Sequence, residues 1–389
     1  MTEEQNARRR ELRRVNAVMS KGPVDMPFLM LVLLLTAIGL IMVLSASFAS
    51  AYYSAGTGHN AAYYFLRQSV FAGAGLIAMF IASKYDYHKL RKWAFPILVL
   101  SVLMLVAVLV PGIGSTRGNS TRWIEIGGQT FQPSELAKLG IILYFSARIS
   151  VEKDRLRDIR CIIWPYCAIL VVIAGLMILE PHLSGTILIL AIAASLLWAG
   201  GVPIPYFIAG AGVLAAAFGA FVGVFGYGSS RIQLWLDPWA DAVGKGYQTV
   251  QSLLAIGSGG LVGVGLGRSR QKFLYLPEEH NDFIFSIICE ELGFIGAVLI
   301  LSLFTMLVIR GYWIALHSRD RFGSLLVIGV TTMMAVQVFL NVAVVTNFVP
   351  NTGISLPLFS YGGSALLVQL VELGIILSVS RQMPAPKGG

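Results

Sequence analysis

The chain has 389 residues, of which 56% are hydrophobic and only 13% charged, at a mean hydropathy of +0.74. That balance excludes a soluble globular domain and requires a polytopic membrane protein. Three cysteines at no motif spacing exclude a disulfide framework and a zinc site, and the net charge of +9 has meaning only once its position along the chain is known.

The N-terminus is a basic arm, residues 1–26, followed by an apolar run longer than a secretory signal core; Ser45-Ala46-Ser47 and Ala49-Ser50-Ala51 offer small residues for cleavage, but the length predicts an uncleaved first span. Apolar stretches near 20 residues then recur. They predict about ten transmembrane helices, in windows 27–49, 67–83, 94–110, 133–149, 161–179, 183–199, 205–225, 283–309, 323–346 and 364–380. The fold class expected is all-α and polytopic, with a ten-helix domain over 27–381 and a short tail, 382–389. Ten spans put both termini on one side. Twenty of the 29 Lys and Arg lie in the arm, the tail and the loops of that side, which the positive-inside rule makes cytoplasmic. This distribution explains the net charge without nucleic acid.

Two extracytoplasmic loops are long, about 111–132 and 226–282, and loops of that length usually carry function. The first contains Trp123 and Gln132, and leads into Glu135 and Lys138, an i,i+3 pair read as an intramembrane ion pair. The turn Glu180-Pro181-His182 adds polar groups on the same side; a lone histidine there is more often structural than a ligand. Residues 257–272, GSGGLVGVGLGRSRQK, combine six glycines with Arg268, Arg270 and Lys272. Backbone N–H groups of such a run can cradle phosphate, although a flexible linker or headgroup anchors would look the same. Then comes LPEEHNDFIFSIICEELG, with five carboxylates and a histidine at the head of an apolar span. Asp282 stands where it can cap that helix or act as a general base, beside Glu279 and His280. Glu290 and Glu291 lie roughly 12 Å deeper and point about 100° apart, for which Lys138 and Arg67 are the intramembrane partners expected.

Four segments, RWIEIGGQTFQPSELAK, GKGYQTVQSLLAIGSGGLVGVGLGRSRQK, YLPEEHNDFIFSIICEELG and PNTGISLPLFSYGGSALL, resemble successive signatures of the SEDS proteins (shape, elongation, division and sporulation), the FtsW, RodA and SpoVE group. GLGRSRQK and the basic arm look more like the FtsW and SpoVE branch. The resemblance implies a peptidoglycan glycosyltransferase that polymerises lipid II outside the cytoplasmic membrane, releases undecaprenyl pyrophosphate, and works with a class B penicillin-binding protein within the division or elongation machinery. It implies Asp282 as the essential aspartate, Trp123 as the family's loop tryptophan and Glu135 with Lys138 as its Glu/Lys pair. The substrate site is expected to draw as well on Gln132, Glu279, His280, Ser360 and Tyr361, with Arg268, Arg270 and Lys272 as the cations nearest in sequence for the leaving group. A divalent cation, Mg2+ or Mn2+, held by Asp282 with Glu279 or His280, could share the work of those side-chain cations at the leaving group. The chain departs from the family at Asn281, Asn351 and the Pro181-His182 turn, where the family often has Thr or Ser, Val, and Pro-Asp. A lipid II flippase and a non-catalytic scaffold for a transpeptidase are the rival readings.

Overall fold

In the computed structural model the described residues are 22–383, apart from 118–119, 128, 153–155, 157 and 226–228. Most of the basic arm and the tail beyond residue 383 lie outside them.

Helices occupy all ten predicted windows. They are α1 (Met26–Tyr53), α2 (Tyr63–Lys84), α3 (Leu90–Val108), α4 (Pro133–Ile149), α5 (Ala168–Leu179, entered through a π-helical turn at Ile163–Cys167), α6 (Leu183–Ala199) and α7 (Ile204–Phe225). Within the second long loop lie two short helices, α8 (Ser229–Leu236) and α9 (Tyr247–Gly259). The bundle closes with α10 (Ile284–Leu316), α11 (Arg321–Val345) and α12 (Gly363–Ser380). Among the described residues seven helices are long and apolar enough to cross a membrane, so the chain is a multi-pass membrane protein. The other three predicted windows hold α4, α6 and α7; α4 and α6 have 17 residues each, and α4 carries Glu135 and Lys138 in its first two turns.

About two thirds of the α11 and α12 spans is buried, against 22% of α2, which makes α11 and α12 the centre and α2 a lipid-facing wall. At one end of the bundle the two ends of the described chain meet: the Gly22 N–H donates to the Arg381 carbonyl at 2.7 Å. Near them Arg310 grips Asp25 bidentately, with Nη2 2.7 Å from Oδ2.

The first long loop is not irregular. It folds into an antiparallel sheet, β1 (Gly114–Arg117), β2 (Ser120–Ile126) and β3 (Gln129–Phe131), in the order β1-β2-β3. Trp123 pairs with Ser115, and Ile124 sits between Gly114 and Phe131. The helical fold class holds, with this one small sheet added in the loop. The signal was present in the sequence, since two glycines, 127 and 128, between strand-forming runs mark a tight hairpin, and Gly127 has φ 58°.

The second long loop re-enters the bundle. Helix α10 is broken at Gly293, φ 68° and ψ −170°, so the Glu290 and Glu291 carbonyls and the Phe294 and Ile295 N–H groups lose their partners within the helix. The glycine-rich run supplies all four. Val264 and Gly265 donate to the Glu290 and Glu291 carbonyls, each at 3.0 Å, while Phe294 and Ile295 donate to the Gly260 and Leu261 carbonyls at 2.9 and 3.1 Å. Non-helical backbone at this depth persists because every group is satisfied by protein. The approach is so close that a Cβ on Gly263 would stand 2.2 Å from the Glu291 carbonyl oxygen. Gly259 and Gly263 are therefore there for backbone contact, and the Val264 and Gly265 N–H groups that a phosphate cradle would use are already bonded to carbonyls.

Candidate active site

At the end of the bundle opposite Gly22 and Arg381 lies a cavity of about 690 Å3. Its wall is assembled from the first turns of α2, α4, α6 and α12, from the sheet, and from the segments that lead into α10 and α12, residues 278–283 and 351–361. Those helix N-termini converge because the predicted polar turns all fall on one side of the bundle.

Asp282 is half-buried and lines this cavity. It does not cap α10: the N-cap is Phe283, and no side-chain cap bond is made. Burial is the main cause that raises its carboxyl to about 6, assisted by the Glu278 carboxylate and opposed by Arg122 and His280. At neutral pH such a group is largely ionised, yet more basic than an exposed aspartate, which suits a general base. Gly353, φ 64°, faces it; a Cβ there would stand 3.0 Å from Asp282 Oδ2.

Trp123, Gln132, His280, Ser360 and Tyr361 reach the cavity as expected. Tyr64, which the sequence did not single out, packs on His280 with ring centroids 4.4 Å apart and on Tyr361 at 4.9 Å. Lys138 and Glu135 form the expected ion pair at 2.8 Å, with side chains 4% and 7% exposed, and both line the wall.

The cations expected at the leaving group are elsewhere. Arg268 and Arg270 are exposed outside the cavity wall, and Lys272 is buried against Glu291 at 2.9 Å. The Ser45 hydroxyl donates to the same Glu291 carboxylate at 2.6 and 2.7 Å. Glu290 accepts from the Ser269 hydroxyl and from the Arg270 N–H at 2.9 Å. Thus the structural reading of Glu290 and Glu291 fits, but their partners are residues 269–272 and Ser45, not Lys138 or Arg67. Glycine closure brings the 269–272 turn down to the carboxylates, a long-range effect that linear spacing does not reveal.

The cavity's own cations are Arg67, Arg122 and Lys138. Arg67 donates to Gln129 Oε1 at 2.6 Å and to the Tyr63 hydroxyl at 3.1 Å. Arg122 donates to the carbonyls of Glu180 and Pro181, so the Glu180-Pro181-His182 turn holds a guanidinium at the wall. Burial pushes the Glu180 carboxyl up to about 8, with Arg122 opposing. It pushes the His182 ring down to about 3, a shift that Arg122 and Lys138 reinforce. His182 is accordingly neutral at pH 7 and lines the cavity. Sequence reasoning also passed over Gln337 and Asn341. Two buried carboxamides four residues apart in an apolar span were the available signal.

Glu279 is buried beside His280, Nδ1 to Oε1 3.3 Å, and is absent from the cavity wall. The carboxylate of this segment that lines the wall with Asp282 is Glu278, and among the described residues no group of three His, Cys, Asp or Glu has metal-holding geometry.

Comparison with known proteins places this architecture. The family model of FtsW, RodA and SpoVE, described as cell cycle protein, matches residues 26–384. The chain belongs to this family. It is 41% identical over 361 residues to a probable peptidoglycan glycosyltransferase FtsW of Geobacter sp. (strain M18), covering 92% of this chain and 97% of that one. It is 40% identical over 371 residues to the stage V sporulation protein E of Bacillus subtilis (strain 168), covering 93% and 98%. Among solved structures it is similar to a chain of a peptidoglycan synthase complex that coordinates polymerization and crosslinking, at TM-score 0.76 and 29% identity, over 92% of this chain and 98% of that chain. It is also similar to the rod shape determining protein RodA of Thermus thermophilus, at TM-score 0.67 and 28% identity, over 93% and 98%.

Proposed function

We propose that this family member is a peptidoglycan glycosyltransferase that polymerises lipid II at the outer face of the cytoplasmic membrane and releases undecaprenyl pyrophosphate. The observation that carries the reading is a half-buried carboxyl, Asp282, raised to about 6 and facing a cavity that also holds Arg67, Arg122 and Lys138.

The chemistry follows from those groups. A sugar hydroxyl is too weak an acid to attack unaided, so Asp282 takes the proton of the acceptor 4-hydroxyl as its oxygen bonds to the donor anomeric carbon. The bond from that carbon to the diphosphate breaks in the same displacement, and the configuration inverts without a second carboxylate as nucleophile. The leaving diphosphate accumulates negative charge, which Arg122, Lys138 and Arg67 are placed to stabilise. Ten spans, cytoplasmic termini and an extracytoplasmic site fit the meeting of Gly22 with Arg381 at the end away from the cavity. A class B penicillin-binding protein is the partner proposed, in keeping with the synthase complex that the chain resembles.

The test is polymerisation of lipid II by purified protein with its partner. Asp282→Ala should abolish glycan product while partner binding and melting behaviour stay intact; full product from that variant would overturn the reading. Lipid II crossing proteoliposome membranes, lost with the same substitution, would favour a flippase instead.

A further inference from the structure

We propose that Asn341 and Ser360 are positioning residues that aim the Asp282 carboxylate by clamping its main chain; this rests on the reading of Asp282 as the base. Among the described residues no hydrogen bond from a side chain or N–H group holds the Asp282 carboxylate, so its direction must be set through the backbone beneath it. That backbone precedes the helix. The Ser286 N–H donates to the Phe283 carbonyl at 3.0 Å, and α10 begins after Asp282.

Three consecutive carbonyls are left before α10, and each is taken by another part of the fold. The His280 carbonyl accepts the Tyr361 N–H at 2.8 Å, and the Asn281 carbonyl accepts the Ser360 hydroxyl at 2.6 Å. The Asp282 carbonyl accepts the Asn341 amide at 2.8 Å. The same Asn341 nitrogen also donates to the Ile354 carbonyl at 2.7 Å, tying the loop that carries Gly353 to the loop that carries Asp282. Asn341 is fully buried in α11, so the clamp is anchored on a central, rigid helix. The Ser360 hydroxyl is engaged twice, since it also accepts the Leu356 N–H at 2.7 Å. This changes the expectation for Ser360 from substrate contact to support of the base. Loss of a clamp lets the carboxylate move, and a displacement of about 1 Å can reduce turnover on the order of 100-fold.

The test is lipid II polymerisation across a pH series by Asn341→Leu, Ser360→Ala, Ser360→Thr and Asp282→Asn, each purified with the partner. In Asn341→Leu and Ser360→Ala, kcat should fall on the order of 10- to 100-fold with KM for lipid II changed less than about two-fold. The acid limb of the profile should move below 6, towards the ordinary carboxylate range, because a loosened Asp282 gains water. Ser360→Thr, which keeps the hydroxyl, should recover most of the turnover. Should Asn341→Leu fail to fold, Ser360→Ala carries the same decision, since it removes a single oxygen. Wild-type kcat and acid limb in Ser360→Ala, or a loss that Ser360→Thr shares with an unmoved acid limb, would overturn the positioning role. An active Asp282→Asn would instead overturn the base assignment itself.

Discussion

Lys272 separates two accounts of the basic stretch, as a diphosphate contact or as the counter-charge of a buried carboxylate. Its Nζ lies 2.9 Å from Glu291 Oε1, with side chains 3% and 0% exposed, and 3.3 Å from the Ser45 hydroxyl. Lys272→Met removes the cation and leaves Glu291 with the Ser45 hydroxyl and the Ser269 N–H at 3.3 Å. Breaking one side of such a pair costs about 3–5 kcal/mol, because the remaining charge stays buried and uncompensated. Adding Glu291→Gln to the Lys272→Met variant removes that charge, while the new side-chain carbonyl can still accept from Ser45. Replacing both partners is often close to neutral, so the double variant should regain most of the lost stability. Unfolding of the single and double variants in detergent, with lipid II polymerisation measured alongside, gives the coupling directly. A double variant no more stable than Lys272→Met would refute the pairing argument. So would a Lys272→Met protein of normal stability that binds lipid II poorly, which would return the lysine to the substrate.

Polymerisation should rise with pH through about 6, because the base works only when deprotonated and the folded Asp282 releases its proton there. Glu278→Gln removes the carboxylate that raises Asp282 and should shift that limb downwards, whereas Arg122→Gln removes an opposing cation and should shift it upwards; matched pH profiles check both signs. Gly353→Ala should lose on the order of 10-fold or more in kcat, since its Cβ would stand 3.0 Å from Asp282 Oδ2 on a backbone with φ 64°, and turnover of the folded variant measures it.

The sequence carried the class of molecule, because hydrocarbon demands runs of about 20 apolar residues and charge asymmetry follows the membrane's two sides. It also pointed to Asp282 and Trp123, which the structure brings to the cavity wall, and to the Glu135–Lys138 ion pair, because these lie in local motifs or one turn apart. Strand pairing within 114–131 was legible only through its two-glycine turn, which the reading of 111–132 as a long functional loop did not use. What the tertiary structure alone decided is which charge meets which. Lys272 lies 19 residues from Glu291 and Arg122 lies 58 residues from Glu180, so neither contact leaves a local pattern. A break at Gly293 and a re-entrant glycine run turn one lysine of the basic cluster, Lys272, inward as structural counter-charge, and the closing of distant helix ends gives the cavity other cations. Apolar periodicity is set residue by residue against lipid, but a buried charge is settled only by whatever partner the packed bundle brings within reach.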